Sequence, residues 1–436
     1  MKICHLFKNR VVKNAGWLIG ARVVQMLISL AVSILVTRFL GPSNYGLINY
    51  GTAYTTFFMS LCTLGINSVL VKEFIDRRYD EGMILGTVLV LRAVSSLLSA
   101  LIILGIVSVV DANEPITITV TVLCSVGLIF NIFEVFHYWF QSQLKSRVTA
   151  LVSLLAYIIT AAYKVLLYVW QKSVIWFAFA TSVDYIVVAI ALLLCYRKYN
   201  GAHLRFSWAC GLALLKKSYH FILPSMMVAI YGYADKFMLK HMVSDAEIGY
   251  YSVAASICGM WTFVLSAIID STYPVIMEAY QSDREQYLKR NRQLYSLIFY
   301  VSAVVSLVIA VLGKYIIWLL YGESFLPAAA SLQVITWYTA FSYLGVARNA
   351  WIVCEEKQRY LKYVYLSAAI INVGLNFLLI PVMQATGAAI ASLITQMFTV
   401  LVVPLFIKDL RENAKLMFEA ITLKDVFSAK EKGKAC

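Results

Sequence analysis

Five basic residues interrupt stretches that are otherwise apolar: Arg22, Arg92, Lys164, Lys236 and Arg348. Two acids, Asp184 and Asp235, do the same. A charge at bilayer depth costs about 2.5–3.5 kcal/mol even on the insertion scale, so it needs a partner, water or a ligand. Cationic groups so placed can hold an anion. Arg grips two phosphate oxygens with its planar fork, whereas Lys acts as a point charge that releases more readily. A carboxylate in that setting can bind a proton or Na⁺ in one state and pair with Lys in another. Uncharged polar residues follow the same logic. Arg22, Gln25, Ser29 and Ser33 recur at spacings of three and four and share one helical face; Asn49, Thr52, Thr56, Ser60, Thr63 and Asn67 keep the same rhythm further on. Such stripes suit a hydroxyl-rich ligand. Arg22, Arg92, Lys164, Lys236, Arg348, Gln25 and Asn49 are therefore the candidate binding residues, and Asp184 and Asp235 the candidate ion-coupling pair. A structural alternative stands beside this reading. Lys164 could simply pair with Asp184, and Asp235 with a basic neighbour, while Arg348 and Glu134 lie near span ends where long side chains can snorkel.

The elements that must position these residues are membrane-spanning helices. Of the 436 residues, 61% are hydrophobic and 14% charged, well under the quarter expected of a soluble domain. The mean hydropathy is +0.77. About twelve spans follow from apolar runs and loop breaks, roughly 14–40, 45–70, 83–110, 115–140, 148–170, 173–196, 218–241, 248–274, 293–320, 327–353, 360–381 and 385–407. Strand signals are absent. The expected class is an all-α polytopic membrane protein in two six-helix lobes, 1–200 and 201–410, followed by a basic tail, 411–436, lying at the membrane surface. The first apolar run is too long for a signal peptide and is expected to remain as a helix.

Net charge is +14, which in a soluble protein would suggest nucleic acid; here the positive-inside rule accounts for it. With the N-terminus in the cytosol, most of the 37 Lys and Arg residues fall on that side, including Lys72, Lys145, Lys217, Arg290 and Lys357. Both termini are expected inside, with Asp111, Glu323 and Gln384 on the opposite side. The eight cysteines are scattered, with no CxxC or Cys/His cluster, so neither a disulfide framework nor a metal site is expected. A faint repeat aligns the turn 37–46 with 240–249, as two parallel six-helix repeats with a site between them would.

The run Arg38-Phe39-Leu40-Gly41-Pro42-Ser43-Asn44-Tyr45-Gly46 resembles the RxLGPxxYG turn of bacterial polysaccharide transporters. These are the O-antigen and capsule repeat-unit flippases of the multidrug/oligosaccharidyl-lipid/polysaccharide exporter superfamily. Asp235-Lys236 followed by Ile248-Gly249-Tyr250-Tyr251 looks like the family's seventh-helix aspartate and GxY turn, and Tyr321-Gly322-Glu323-Ser324-Phe325 like its yGxxF loop. Asn372, Asn376, Leu379-Ile380-Pro381 and Gly387-Ala388-Ala389 resemble a further signature, with Gln384 where the family has glycine. The resemblance implies a flippase for undecaprenyl-diphosphate-linked oligosaccharides, working by alternating access in the bacterial inner membrane for O-antigen, capsule or exopolysaccharide synthesis. It implies the lipid-linked glycan and the bilayer as partners, and other polysaccharide-assembly membrane proteins as candidates. No Walker A, HExxH, GxSxG or dinucleotide-binding turn is present, so the expectation is a non-enzyme without cofactor, open to H⁺ or Na⁺ coupling. Two alternatives remain: a cation-coupled drug or metabolite exporter on the same fold, and a membrane glycan polymerase or ligase, which should carry a sizeable loop bearing reactive groups.

Overall fold

The computed structural model describes the backbone from Arg10 to Thr422, and side chains from Val24 onward except Leu27. Within these residues the chain is helical, without strands. The first helix, α1 (Arg10–Cys62), has 53 residues, about 80 Å of rise and more than twice the roughly 30 Å of a hydrocarbon core. It is broken at Gly41, with φ 71° and ψ 174°. Pro42 follows, suited to a new helix start, and the Asn44 side-chain amide donates to the Leu40 carbonyl at 3.1 Å, satisfying an acceptor freed by the break. The GPSN run is therefore the turn between two passes.

The chain continues as α2 (Asn67–Asp76), α3 (Glu81–Val110), α4 (Pro115–Phe130), α5 (Val135–Ser142), α6 (Ser146–Val169) and α7 (Val174–Lys198). After these come α8 (Trp208–Met242), the bent pair α9 (Asp245–Met260) and α10 (Thr262–Ser282), then α11 (Arg284–Tyr321) and α12 (Ala328–Cys354). The last long helix, α13 (Leu361–Met397), repeats the device of α1. It breaks at Gln384, with φ 54° and ψ −134°. The return is so tight that a methyl group on Gly387 would sit 2.4 Å from the Leu379 carbonyl oxygen. Glu247 accepts from the Ala385 N–H at 2.9 Å, capping the half-helix that starts there. A π-helical turn, Phe398–Val402, and the short α14 (Val403–Phe406) and α15 (Arg411–Ile421) complete the chain. Among the described residues seven helices are long and apolar enough to cross a membrane, eight if α9 and α10 form one span. The segments containing α1 and α13 are 53 and 49 residues long, so each can cross twice. The two remaining expected spans lie on α8 and α12, which are helical but less apolar.

The helices bury small and hydroxyl residues together with apolar ones and leave wide apolar faces outside, unlike a soluble bundle. On α3, Arg92, Ser96, Ser99, Ile103 and Val107 are buried, while Val94, Leu97, Leu98, Leu101 and Ile102 are exposed. On α11, Ser302, Ser306 and Gly313 are buried and Val304, Leu307, Val308 and Val311 exposed. Lipid is as apolar as Leu and rewards no such side chain for leaving it. Small residues and hydroxyls instead let backbones approach and bond across helices. Ser306 donates to the Thr336 carbonyl at 2.8 Å, and Ser182 to the Leu123 carbonyl at 2.6 Å while accepting from the Gly127 N–H at 2.9 Å.

Two compact units divide between Ala229 and Ile230, inside α8. In the first unit the connecting segment is tied to α3: the Arg205 N–H donates to the Gly82 carbonyl at 3.0 Å, and the Ser207 N–H to Thr87 Oγ1 at 3.0 Å. Side chains on Gly82 or Gly86 would collide with the backbones of His203 and Arg205. Lys217 on α8 then pairs with buried Glu73 at 2.5 Å, so the first part of α8 packs with what precedes it. In the second unit, α15 differs from the expected membrane-surface tail. Its apolar face, with Ala414, Leu416, Met417 and Ala420, is buried, and Arg292 pairs with Glu419 at 2.7 Å across to α11. Arg284 pairs with Glu355 and Glu412, and Lys357 with Asp409 at 2.6 Å. Hydrogen bonds from Lys357 and Tyr360 hold the Asp409 carboxyl below its ordinary range. This clasp is therefore complete above the usual carboxylate pKa and loosens only as pH falls through the depressed value. Residues 423–436 of the expected tail lie outside the described residues.

The two turns make opposite predictions. Gln384 holds a backbone conformation that favours glycine, so Gln384→Gly is expected to stabilise the protein by about 1 kcal/mol. Gly41→Ala, where nothing lies within 4 Å of the added carbon, is expected to destabilise by a similar amount through backbone strain alone. Thermal unfolding of the purified protein in detergent reads both.

Candidate functional site

In the first unit, four helices enclose a cavity of about 270 Å³. Its polar lining comes from residues one turn apart: Thr52, Thr55 and Thr56 on α1, Tyr157, Thr160 and Lys164 on α6, and Thr181, Asp184 and Tyr185 on α7. Cys124 on α4 and Ala180 complete it. The volume falls just below the roughly 300 Å³ at which small-molecule sites begin. Several hydroxyls donate back to their own helix: Thr55 to the Gly51 carbonyl at 3.1 Å, Thr56 to Thr52 at 2.8 Å and Thr181 to Ala178 at 2.7 Å. Their lone pairs remain as acceptors. The wall thus offers hydroxyl oxygens, one carboxylate and one ammonium. Lys164 and Asp184 interact electrostatically, yet no N–O contact within 4 Å joins them. Both residues line the cavity.

In the second unit a smaller cavity of about 100 Å³ is lined by Tyr231, Ser342, Asn349, Tyr365, Gln396 and Thr399, with Gly345, Val346, Val364, Ala368 and Val400 as its apolar wall. Arg348 contributes to it from α12. Asp235 lies elsewhere in the same unit. It is 2% exposed and accepts from the Lys236 N–H at 2.9 Å and from the Tyr251 hydroxyl. Tyr251 reaches Ser392 at 3.3 Å. Lys236 stacks its ammonium 5.7 Å from the Tyr233 ring centre.

The other candidates are dispersed. Arg92 is 1% exposed, donates to Asn67 and lies 3.7 Å from the Glu134 carboxylate. It lines neither cavity, and Glu134 is its counterion rather than a free snorkelling acid. Asn49 donates to the Tyr45 carbonyl at 3.0 Å, which commits part of its amide to its own helix. Gln25 is half-buried. Arg22 lies on α1, its side chain outside the described residues.

Asp111 follows the third expected span, at the C-terminal end of α3. It is 5% exposed and accepts from the buried Tyr50 hydroxyl at 2.9 Å, with Tyr54 3.3 Å further along. A C-terminal helix cap can tuck inward where a loop side chain would not, and the exposed stretch begins at the next residue and runs from Ala112 to Ile116. Tyr157, Tyr185, Tyr231 and Tyr365 also line the cavities and were not among the expected residues, because an uncharged aromatic inside an apolar run carries no signal that separates it from packing.

If Lys164 and Asp184 act on each other across the cavity, their substitutions are not additive. Lys164→Met and Asp184→Leu should each destabilise, and the double variant should recover part of the loss, with a coupling of about 0.5–3 kcal/mol. Unfolding midpoints of the four proteins in one double-mutant cycle test this.

Comparison with known proteins places this geometry in context. Among curated proteins, none matches the sequence. The fold matches the lipid II flippase MurJ in an inward closed conformation, with TM-score 0.74 and 14% identity over 95% of this chain and 92% of that one. It matches an inward-facing multidrug resistance MATE family transporter of the MOP superfamily, with TM-score 0.68 and 14% identity over 90% and 94% of the two chains. It also matches a MOP superfamily transporter from Pyrococcus furiosus, with TM-score 0.63 and 14% identity over 93% and 95%. At such identities the likeness establishes the fold, that of MOP-type membrane transporters. A family profile described as polysaccharide biosynthesis protein matches residues 11–280, more than half of the chain and including every residue that lines the first cavity. This multi-pass membrane protein belongs to the polysaccharide biosynthesis protein family.

Proposed function

We propose that this chain is a flippase that moves undecaprenyl-diphosphate-linked oligosaccharides from the cytosolic to the outer leaflet of the bacterial inner membrane by alternating access. The observation that carries this reading is the cavity of the first unit, where Lys164 and Asp184 sit among threonine hydroxyls within helices long enough to span the bilayer. Charge held at that depth without a direct ion pair is costly unless water or a ligand shares it. A hydroxyl-rich, anionic cargo suits an ammonium flanked by hydrogen-bond acceptors. The family description and the fold shared with a lipid II flippase support the same class of cargo.

Lys164 is the anion-facing group of the first unit, and the three-residue spacing of Arg22 and Gln25 in the sequence makes them candidates for a second polar contact. Arg92 acts only where its pairing with Glu134 is released. Asp184 and Asp235 are the carboxylates through which a H⁺ or Na⁺ gradient would act, with no bound cofactor. A second reading, a cation-coupled exporter, is favoured by one observation: Asp184 shares its cavity with Tyr157 and Tyr185, and a carboxylate beside aromatic faces suits a cationic ligand.

Deletion of the gene followed by analysis of lipid-linked glycans separates the two. The flippase reading expects repeat units trapped on the cytosolic leaflet; normal export in the deletion strain, with lost drug resistance, would favour the exporter. In a reconstituted assay Asp184→Asn is expected to slow gradient-driven transport about tenfold or more, with stability retained. Orientation is read separately, by cysteines placed at Lys145, Lys217, Arg290, Asn113, Glu323 and Gln384 in a cysteine-free background. The last three should react with an impermeant thiol reagent applied outside intact cells. Labelling of the first three would reverse the topology.

A further inference from the structure

Arg348 is only 3% exposed, and among the described residues no carboxylate lies within ion-pairing distance of it. Its Nε has no hydrogen-bond partner, and its Nη1 reaches the Thr399 carbonyl only at 3.5 Å, the outer limit of such a bond. The groups that act on it electrostatically are the hydroxyls of Tyr231, Tyr295 and Tyr365, which are neutral. A buried guanidinium is always charged, and leaving it unpaired in a low-dielectric interior is costly. It opens, however, onto the cavity of about 100 Å³ whose wall holds Tyr231, Ser342, Asn349, Tyr365 and Gln396. These side chains supply hydroxyl and amide donors. The cavity is also bordered by Thr399 and Val400 of the π-helical turn Phe398–Val402. Such single-turn irregularities are maintained mostly at functional sites.

We propose that this cavity binds one small inorganic monoanion of the chloride class, held by Arg348. Charge selects the valence: one guanidinium with no other charge is neutralised by a monoanion, whereas a dianion would leave net charge buried. Size is compatible with that class. A cavity of about 100 Å³ has room for a small ion and its water. The partly apolar wall of Val346, Val364, Ala368 and Val400 favours a weakly hydrated ion over a strongly hydrated one. The bound anion would settle the charge of α12 between α13 and the π-helical turn and so stiffen the second unit. This site is independent of the cargo proposed above, because it accounts for a charge inside one unit and its readout is not transport.

The test uses the full-length protein in detergent, with chloride exchanged for gluconate at constant ionic strength. Wild type is expected to show a saturable rise in unfolding temperature with chloride, and Arg348→Gln none. Bromide, replacing chloride in crystals, should give an anomalous peak beside Arg348. This second measurement needs no variant and so stands if Arg348→Gln fails to fold. An unfolding temperature indifferent to the exchange overturns the proposal, as does a bromide peak found only elsewhere, or an Arg348→Gln protein that responds like wild type. A further arm distinguishes the source of negative charge. In chloride-free nanodiscs containing undecaprenyl phosphate, an Arg348-dependent rise that chloride cannot reproduce would assign the site to a lipid headgroup and refute the free-anion proposal.

Discussion

The cost of charge in a low-dielectric membrane organises this molecule. Each ionised group inside the helical segments must be matched within reach, and the chain shows distinct ways of doing so. Arg92 is matched by Glu134 and an Asn67 carbonyl oxygen. Glu73 is matched by Lys217. Asp235 is matched by a backbone N–H and a tyrosine hydroxyl. Lys164, Asp184 and Arg348 instead open onto cavities. A direct pair at short range is self-contained and needs nothing else, so it reads as architecture. A charge facing a cavity remains available to water, an ion or a substrate, and the proposed function rests on that availability.

The same constraint explains the inverted surface. Hydrophobic burial cannot hold helices together when the surroundings are hydrocarbon, so close backbone approach and inter-helix hydrogen bonds take its place. Ser182 between α4 and α7, and Ser306 between α11 and α12, are hydroxyls used in this way. Around the last helix the rules of soluble proteins return. There α15 buries an apolar face and is pinned by ion pairs through Arg284, Arg292 and Lys357. The resulting clasp joins the end of the chain to the start of α11.

Much of the fold was legible in the sequence because hydropathy, length and turn chemistry are local. Gly41-Pro42 marks the reversal of α1 by backbone preference alone. The polar stripe of α1 follows from spacing, and the four motifs in register identify the family. The departure at Gln384 was visible too, although only its backbone angles show that it falls on a residue under strain. What periodicity could not give was the fate of residues whose surroundings come from distant segments. Asp111 reads as a loop acid until Tyr50 is found above it, and residues 411–421 read as a surface tail until α11 is found beneath them.

The sequence by itself determined that this is a polytopic helical membrane protein of a polysaccharide-transport type, and that charges such as Arg92, Lys164 and Asp184 lie inside its apolar runs. Those properties depend on composition and near-neighbour spacing, which a linear chain carries in full. Only the tertiary structure decided what each charge does. Arg92 and Lys164 are indistinguishable as single basic residues in apolar helices, yet one meets Glu134 and the other a cavity. The difference lies in partners dozens of residues away, brought close by helix packing, and in a low dielectric the distance to the nearest opposite charge sets the energy and with it the role.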